Sequence, residues 1–292
     1  EAGPSGNVRI ITGNARGGAA GNIEISVGAG TKGPGGSVYI NAGDTSDSET
    51  GGVVEIMSGA STATTSGLID IATADSGTNG GTGSLSVSTG NAVGGVSGSL
   101  LLTTGDSESA SVGSILLSVG KGKGPSGGEI KLLSGDSVDG TGGDIVVQTG
   151  RGFATSSGKL LLQTADAGIS GTSGAVSIST GTSSTGSSGA ITLQTGESID
   201  GAGGSISMSV GKSSNGLGGN VVLLSGDVNS GTGGSIFLNS GAGTQSSSGQ
   251  IDLSTSNAGV AGSSGAISIS TGTSSEGSSG SIYLSTGEAT GG

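Results

Sequence analysis

The chain has 292 residues, of which 68 are Gly and 1% aromatic, with no Trp, no His and no Cys. This composition excludes an ordinary core of large side chains. It also removes thiolate nucleophiles, imidazole bases, disulfides and soft-metal ligands, so neither enzymatic catalysis nor a cofactor is expected. A formal charge of −12 with only nine Lys and Arg excludes the clustered cations that nucleic-acid phosphates require.

No apolar run approaches the roughly 20 residues needed to span a bilayer, and no basic start is followed by an apolar stretch. The chain opens in mid-repeat at Glu1 and stops in mid-repeat at Gly292. It therefore reads as one continuous repeat domain, 1–292, forming a window onto a longer molecule.

One phrase recurs nineteen times at intervals of 15 or 16 residues: Gly, any residue, an aliphatic, any residue, an aliphatic, any residue, a small residue, then usually Gly. The cleanest copies are GAVSISTG (Gly174 to Gly181), GAISISTG (Gly265 to Gly272) and GSIYLSTG (Gly280 to Gly287). The first aliphatic column runs from Val8, Ile23 and Val38 through Ile191, Val221 and Ile267 to Ile282. Two residues on, a second column runs from Ile10 through Leu193, Leu223 and Ile269 to Leu284. A spacing of two predicts strands with both columns on one face.

A third inward column is small and mostly β-branched, as at Thr12, Val27, Thr195, Thr271 and Thr286. If buried, its hydroxyls need partners, and a stacked Thr ladder would supply them. Two residues before each first aliphatic stands a Gly, including Gly174, Gly189, Gly204, Gly265 and Gly280. Such a column is expected at corners, where φ is positive or backbones pack closely.

Strands sharing one pattern, joined by returns of about nine residues, do not make hairpins. The expected fold is all-β: a single-stack parallel β-solenoid (β-helix) of about 19 coils of 15–16 residues, rising roughly 4.8 Å per coil. Its core would consist of Ile191, Leu193, Thr195, Val221, Leu223, Ile267, Ile269, Thr271 and their equivalents. A 30-residue turn with two facing strands is the rival geometry.

The 16-residue intervals fall at 38–54, 69–85, 160–176 and 251–267, and the last three begin 91 residues apart, which defines a six-coil superrepeat. The last three also replace the closing Gly by Ala74, Ala165 and Ser256. The residue after the closing Gly reads Asp106, Lys121, Asp136, and one superrepeat later Glu197, Lys212, Asp227. Stacked coils would turn these into an alternating charge ladder that fixes register. Lys at the centre argues against calcium, and the calcium-binding nonapeptide is absent.

Outward positions are mostly polar, but Leu101, Leu116, Leu161, Val222, Leu224 and Phe237 are apolar. Lateral contact with another copy or with a sheath protein would cover them. No phosphate-binding GxxxxGK[ST] occurs, and no carboxylate pair stands apart from the repeat. Ice binding, which flat β-solenoids perform with outward Thr ladders, is disfavoured. The outward residues here read Arg9, Glu24, Tyr39, Glu55, Asp70, Ser86, Leu101 and Leu116. No N-x-[ST] site occurs, whereas the outer Ser and Thr would accept O-glycans.

The phrases SGSLLLTTGDS (Ser97 to Ser107), GAVSISTGTSSTGSSG (Gly174 to Gly189) and GSISMSVGKSSNGLGG (Gly204 to Gly219) resemble long Gly/Ser-rich repeat proteins of diatoms and other stramenopile algae. The resemblance covers the whole chain and implies a secreted or surface-displayed fibre, such as the shaft of a flagellar hair (mastigoneme) or a wall-associated filament. It implies no catalytic residues. The expected function is therefore a structural shaft, extracellular or at the cell surface, associating with itself or with other filament proteins. An adhesin stalk presenting a terminal domain is the alternative, and an ice-binding solenoid the third.

Overall fold

The computed structural model describes residue 3 and residues 5–289, and Glu1, Ala2, Pro4 and residues 290–292 lie outside the described residues. No helix and no strand forms among the described residues, which corrects the expected all-β parallel solenoid. The described residues are coil interrupted by bends and two tight turns. Two compact units divide it, Glu1–Val146 and Val147–Gly292.

The sequence period nevertheless governs the backbone. Each of the eighteen returns between the nineteen phrases carries one bend or tight turn at its tip, from 16–18 and 31–33 to 260–261 and 275–277. The bends follow the Gly, Ser and Asp content of the returns, the residues that tolerate sharp changes of chain direction. Gly17 and Gly33 sit at two tips with φ of 81°, in the left-handed region that a side chain disfavours.

The missing ladders have a physical cause. Two large aliphatics in fifteen residues expose little apolar surface for burial, whereas the Gly-rich returns lose much conformational entropy on ordering. Contacts within one return need only a short loop to close, and these are the contacts that predominate.

No hydrophobic side chain is buried among the described residues. The core predicted at Ile191, Leu193, Val221, Leu223, Ile267 and Ile269 is thus not assembled, and Thr195 and Thr271 are exposed with them. Exposure is graded along the phrase. Ile191 of the first column is 55% exposed and Leu193 of the second 72%, against 83% for outward Leu116 and 85% for outward Phe237. The first column is the better covered, although nothing seals it, whereas the second is not set apart, since Leu162 is 72% exposed against 62% for outward Leu161.

Candidate functional site: a repeated loop closure

The structure repeats one local arrangement eighteen times. The Gly that opens each phrase returns to the third-column residue of the phrase before it, from Gly21 against Thr12 to Gly280 against Thr271. A methyl placed on Gly204 would lie 3.3 Å from Thr195 Cβ, and one on Gly189 3.4 Å from Thr180 Cγ2. Gly174 and Gly265 meet Thr164 and Thr255 in the same way. The Thr column thus finds its neighbour in the next phrase's glycine instead of in another Thr. Positive φ plays no part at these opening glycines, since among the described residues it occurs only at Gly17, Gly33, Gly171, Gly216 and Gly231.

Where the interval is 16 residues, the partner lies one residue further back, as in Thr73 with Gly83 and Thr255 with Gly265. The extra residue is taken up inside the return. In two of these longer returns the tip tightens into a turn, with the Gly80 N–H donating to the Gly77 carbonyl at 3.4 Å and the Gly262 N–H to the Gly259 carbonyl at 3.3 Å.

The chemistry of the third residue selects between two forms of closure. After Ala42, Ser58, Ser134, Ser225 and Ser240, the opening Gly N–H donates to the carbonyl of the closing Gly, at 2.9 to 3.0 Å. All five side chains lack a β-branch. After the branched residues this bond forms only at Thr149, where Gly158 donates to Gly150 at 3.0 Å, among the described residues. After Val27, Val119 and Val210 the opening Gly instead comes up against a side-chain methyl. A Cβ on Gly36, Gly128 or Gly219 would lie 2.6 to 2.8 Å from Val27, Val119 or Val210 Cγ1, tighter than any real side chain tolerates. Ser225 adds a second link by donating from Oγ to the Gly234 carbonyl at 3.1 Å.

These closures recur with the superrepeat. Gly143 to Gly135 and Gly234 to Gly226 are 91 residues apart, as are Gly67 to Gly59, Gly158 to Gly150 and Gly249 to Gly241. A further device sits at the tips, where Ser137, Ser183 and Ser274 Oγ each accept the N–H three residues on, from Gly140, Gly186 and Gly277, at 2.9 to 3.0 Å. Sequence reading missed it, although Ser-x-x-Gly two residues beyond the closing Gly is a recognisable signal for a side chain satisfying a turn N–H.

The predicted charge ladder is not assembled. Asp106, Lys121, Asp136, Glu197, Lys212 and Asp227 are all exposed, and the ion pair found among the described residues joins Lys131 to Glu129 at 2.7 Å instead. Leu101, Leu116, Leu161, Val222, Leu224 and Phe237 are exposed as well.

The arrangement offers no focus for reaction chemistry. No group of three acidic, His or Cys residues able to hold a metal ion occurs among the described residues. A shallow concavity is lined by Leu284, Ser285 and Thr286 and contains no titratable group. No helix among the described residues is long and apolar enough to cross a membrane. No protein-family model, curated protein or solved structure matches the chain.

Proposed function

We propose that the chain is a structural protein, the repetitive shaft of an extracellular filament or surface appendage, which associates with copies of itself or with other filament components. The observation that carries this reading is the eighteenfold recurrence of one loop closure. A unit repeated so evenly adds length in equal increments and adds no new chemistry. The exposed aliphatic side chains support the same reading, because large apolar side chains left to solvent in such number suit a chain that a partner covers. The likeness to stramenopile repeat proteins is consistent with a surface location, where O-glycans on the outer Ser and Thr would shield the remaining surface.

Sedimentation velocity over a concentration series, paired with electron microscopy of the same samples, tests the proposal. Elongated assemblies that grow with concentration are the expected result. A monomer at every concentration and ionic strength would overturn it. Single unassembled stalks ending in a separate head, imaged on the native surface, would establish the adhesin-stalk alternative. Within the assembly reading, Leu224→Asp together with Phe237→Asp should shift the monomer fraction upward, since both side chains are apolar and open to solvent.

A further inference from the structure

The residue that follows each phrase carries more information than its exposure suggests. At intervals of fifteen, positions 106 to 166 read Asp106, Lys121, Asp136, Arg151, Asp166, a strict alternation of sign, and Glu197, Lys212, Asp227 repeat it. All eight side chains are exposed. Neither Lys121 nor Lys212 has a carboxylate within ion-pair distance among the described residues. Arg151 lies over the Phe153 ring, 4.9 Å from its centroid, and it too has no carboxylate partner there. The chain thus presents an alternating charge pattern that its own fold leaves unsatisfied.

We infer that the partner is a second copy of this chain, lying parallel and displaced by one 15-residue unit. The inference rests on the self-association proposed above and adds its register. Two parallel copies in register would set Asp106 against Asp106 and Lys121 against Lys121, like charge against like at each step of the runs 106–166 and 197–227. A shift of one whole superrepeat changes nothing, because it opposes Asp106 to Glu197, Lys121 to Lys212 and Asp136 to Asp227. Displacement by one unit places Lys121 beside Asp106 of one neighbour and Asp136 beside Lys121, so within the runs 106–166 and 197–227 each step becomes an opposite pair, while uncharged positions such as Thr182 and Ala242 add nothing. It also keeps phrase beside phrase, so the aliphatic columns of the two copies continue to face the same way.

The apolar columns provide the attraction, and the charges choose among registers that are otherwise nearly equivalent. This is how alternating charge acts where hydrophobic contact alone is degenerate. A staggered contact also leaves one unit unpaired at each end, which propagates an open filament and does not close a dimer.

The absence of Cys allows a direct test by disulfide trapping. Thr103 and Ser118 are exposed, outward and one unit apart. Chains carrying Thr103→Cys and chains carrying Ser118→Cys are mixed, oxidised and resolved by mass. One-unit displacement predicts the mixed disulfide in severalfold excess over the two symmetric ones. Symmetric disulfides in excess, or a statistical mixture, would overturn the register while leaving association intact. A sedimenting monomer with no disulfide would overturn both readings. A second variant removes dependence on one geometry. A chain bearing Asp106→Lys, Lys121→Asp, Asp136→Lys, Arg151→Asp, Asp166→Lys, Glu197→Lys, Lys212→Asp and Asp227→Lys should bind the unaltered chain in register. Ser118→Cys in both partners then traps that pair. If inversion leaves the trapped pairs unchanged, the charges do not set the register.

Discussion

Two neighbouring returns, 119–128 and 134–143, begin with residues that differ in β-branching, and they close differently. After Val119 the approach of Gly128 is limited by a side-chain methyl, with no room for a Cβ. After Ser134 the Gly143 N–H reaches the Gly135 carbonyl at 2.9 Å. The same contrast appears one superrepeat on, where Gly219 meets Val210 Cγ1 and Gly234 donates to Gly226 at 3.0 Å. In both superrepeats the unbranched Ser accompanies a bonded backbone donor and the Val does not, although branched Thr149 also allows the bond, with Gly158 donating to Gly150 at 3.0 Å. The Val returns are held by van der Waals contact, and the Ser returns by a hydrogen bond.

The largest disturbance is expected where a glycine approaches backbone directly. At Gly243 a Cβ would meet the Ser246 and Ser247 carbonyl oxygens at 2.5 Å, and at Gly152 it would meet those of Thr155 and Ser156 as closely. Gly243→Ala should open its return at a cost of about 1–3 kcal/mol, the range for forced overpacking. Loss of the short-range nuclear Overhauser contacts across 243–247 would register it. Gly241→Ala, where a methyl meets nothing within 4 Å, is the matched control and should leave those contacts in place.

Exchanging the two closures sharpens the comparison. Val119→Ser with Ser134→Val should transfer the bond, so that amide exchange slows at Gly128 and quickens at Gly143. A net hydrogen bond of about 0.5–1.5 kcal/mol sets the size of both changes. Equal exchange at the two glycines before and after the swap would show that branching does not govern closure.

Smaller still is the effect at the tips. Ser137→Ala removes the acceptor of the Gly140 N–H, bonded at 2.9 Å, and should speed exchange at Gly140 alone by about the same factor as an exposed hydrogen bond, with Gly143 unchanged. Ionic strength gives the last comparison. With a formal charge of −12, self-association should strengthen as salt rises from low levels to about 0.15 M, where screening reaches roughly 8 Å, because general repulsion weakens before short-range contacts do. A monomer fraction that rises with salt over that range would count against an apolar driving force.

Legibility in the sequence was uneven. The positions of the returns, the extra residue at the 16-residue intervals and the 91-residue recurrence all correspond to features of the backbone, since a bend needs only the local preference of Gly, Ser and Asp. The alternation of Ile191 and Leu193 with outward residues was legible as a pattern, yet the inference from pattern to stacked strands failed. Periodicity states which side chains share a face, not whether anything covers that face. The glycine column was legible as a requirement, while its partner was not. Nothing in GAVSISTG indicates that Gly174 lies against Thr164 of the preceding phrase. The tip serines escaped because they lie outside the repeated phrase, although their spacing to the bonded N–H is constant.

What the sequence by itself determined is the unit: its length, its small third residue, its opening glycine and the sign of the charge that follows it. Those properties depend on the intrinsic conformational freedom and the chemistry of individual residues, so they hold wherever the residues occur. What only the tertiary structure decided is the range over which contacts form. Two aliphatics per fifteen residues offer little burial against the entropy of a Gly-rich chain, so contacts close within one return and do not extend into ladders between coils. The same balance leaves the aliphatic columns and the alternating charges facing solvent.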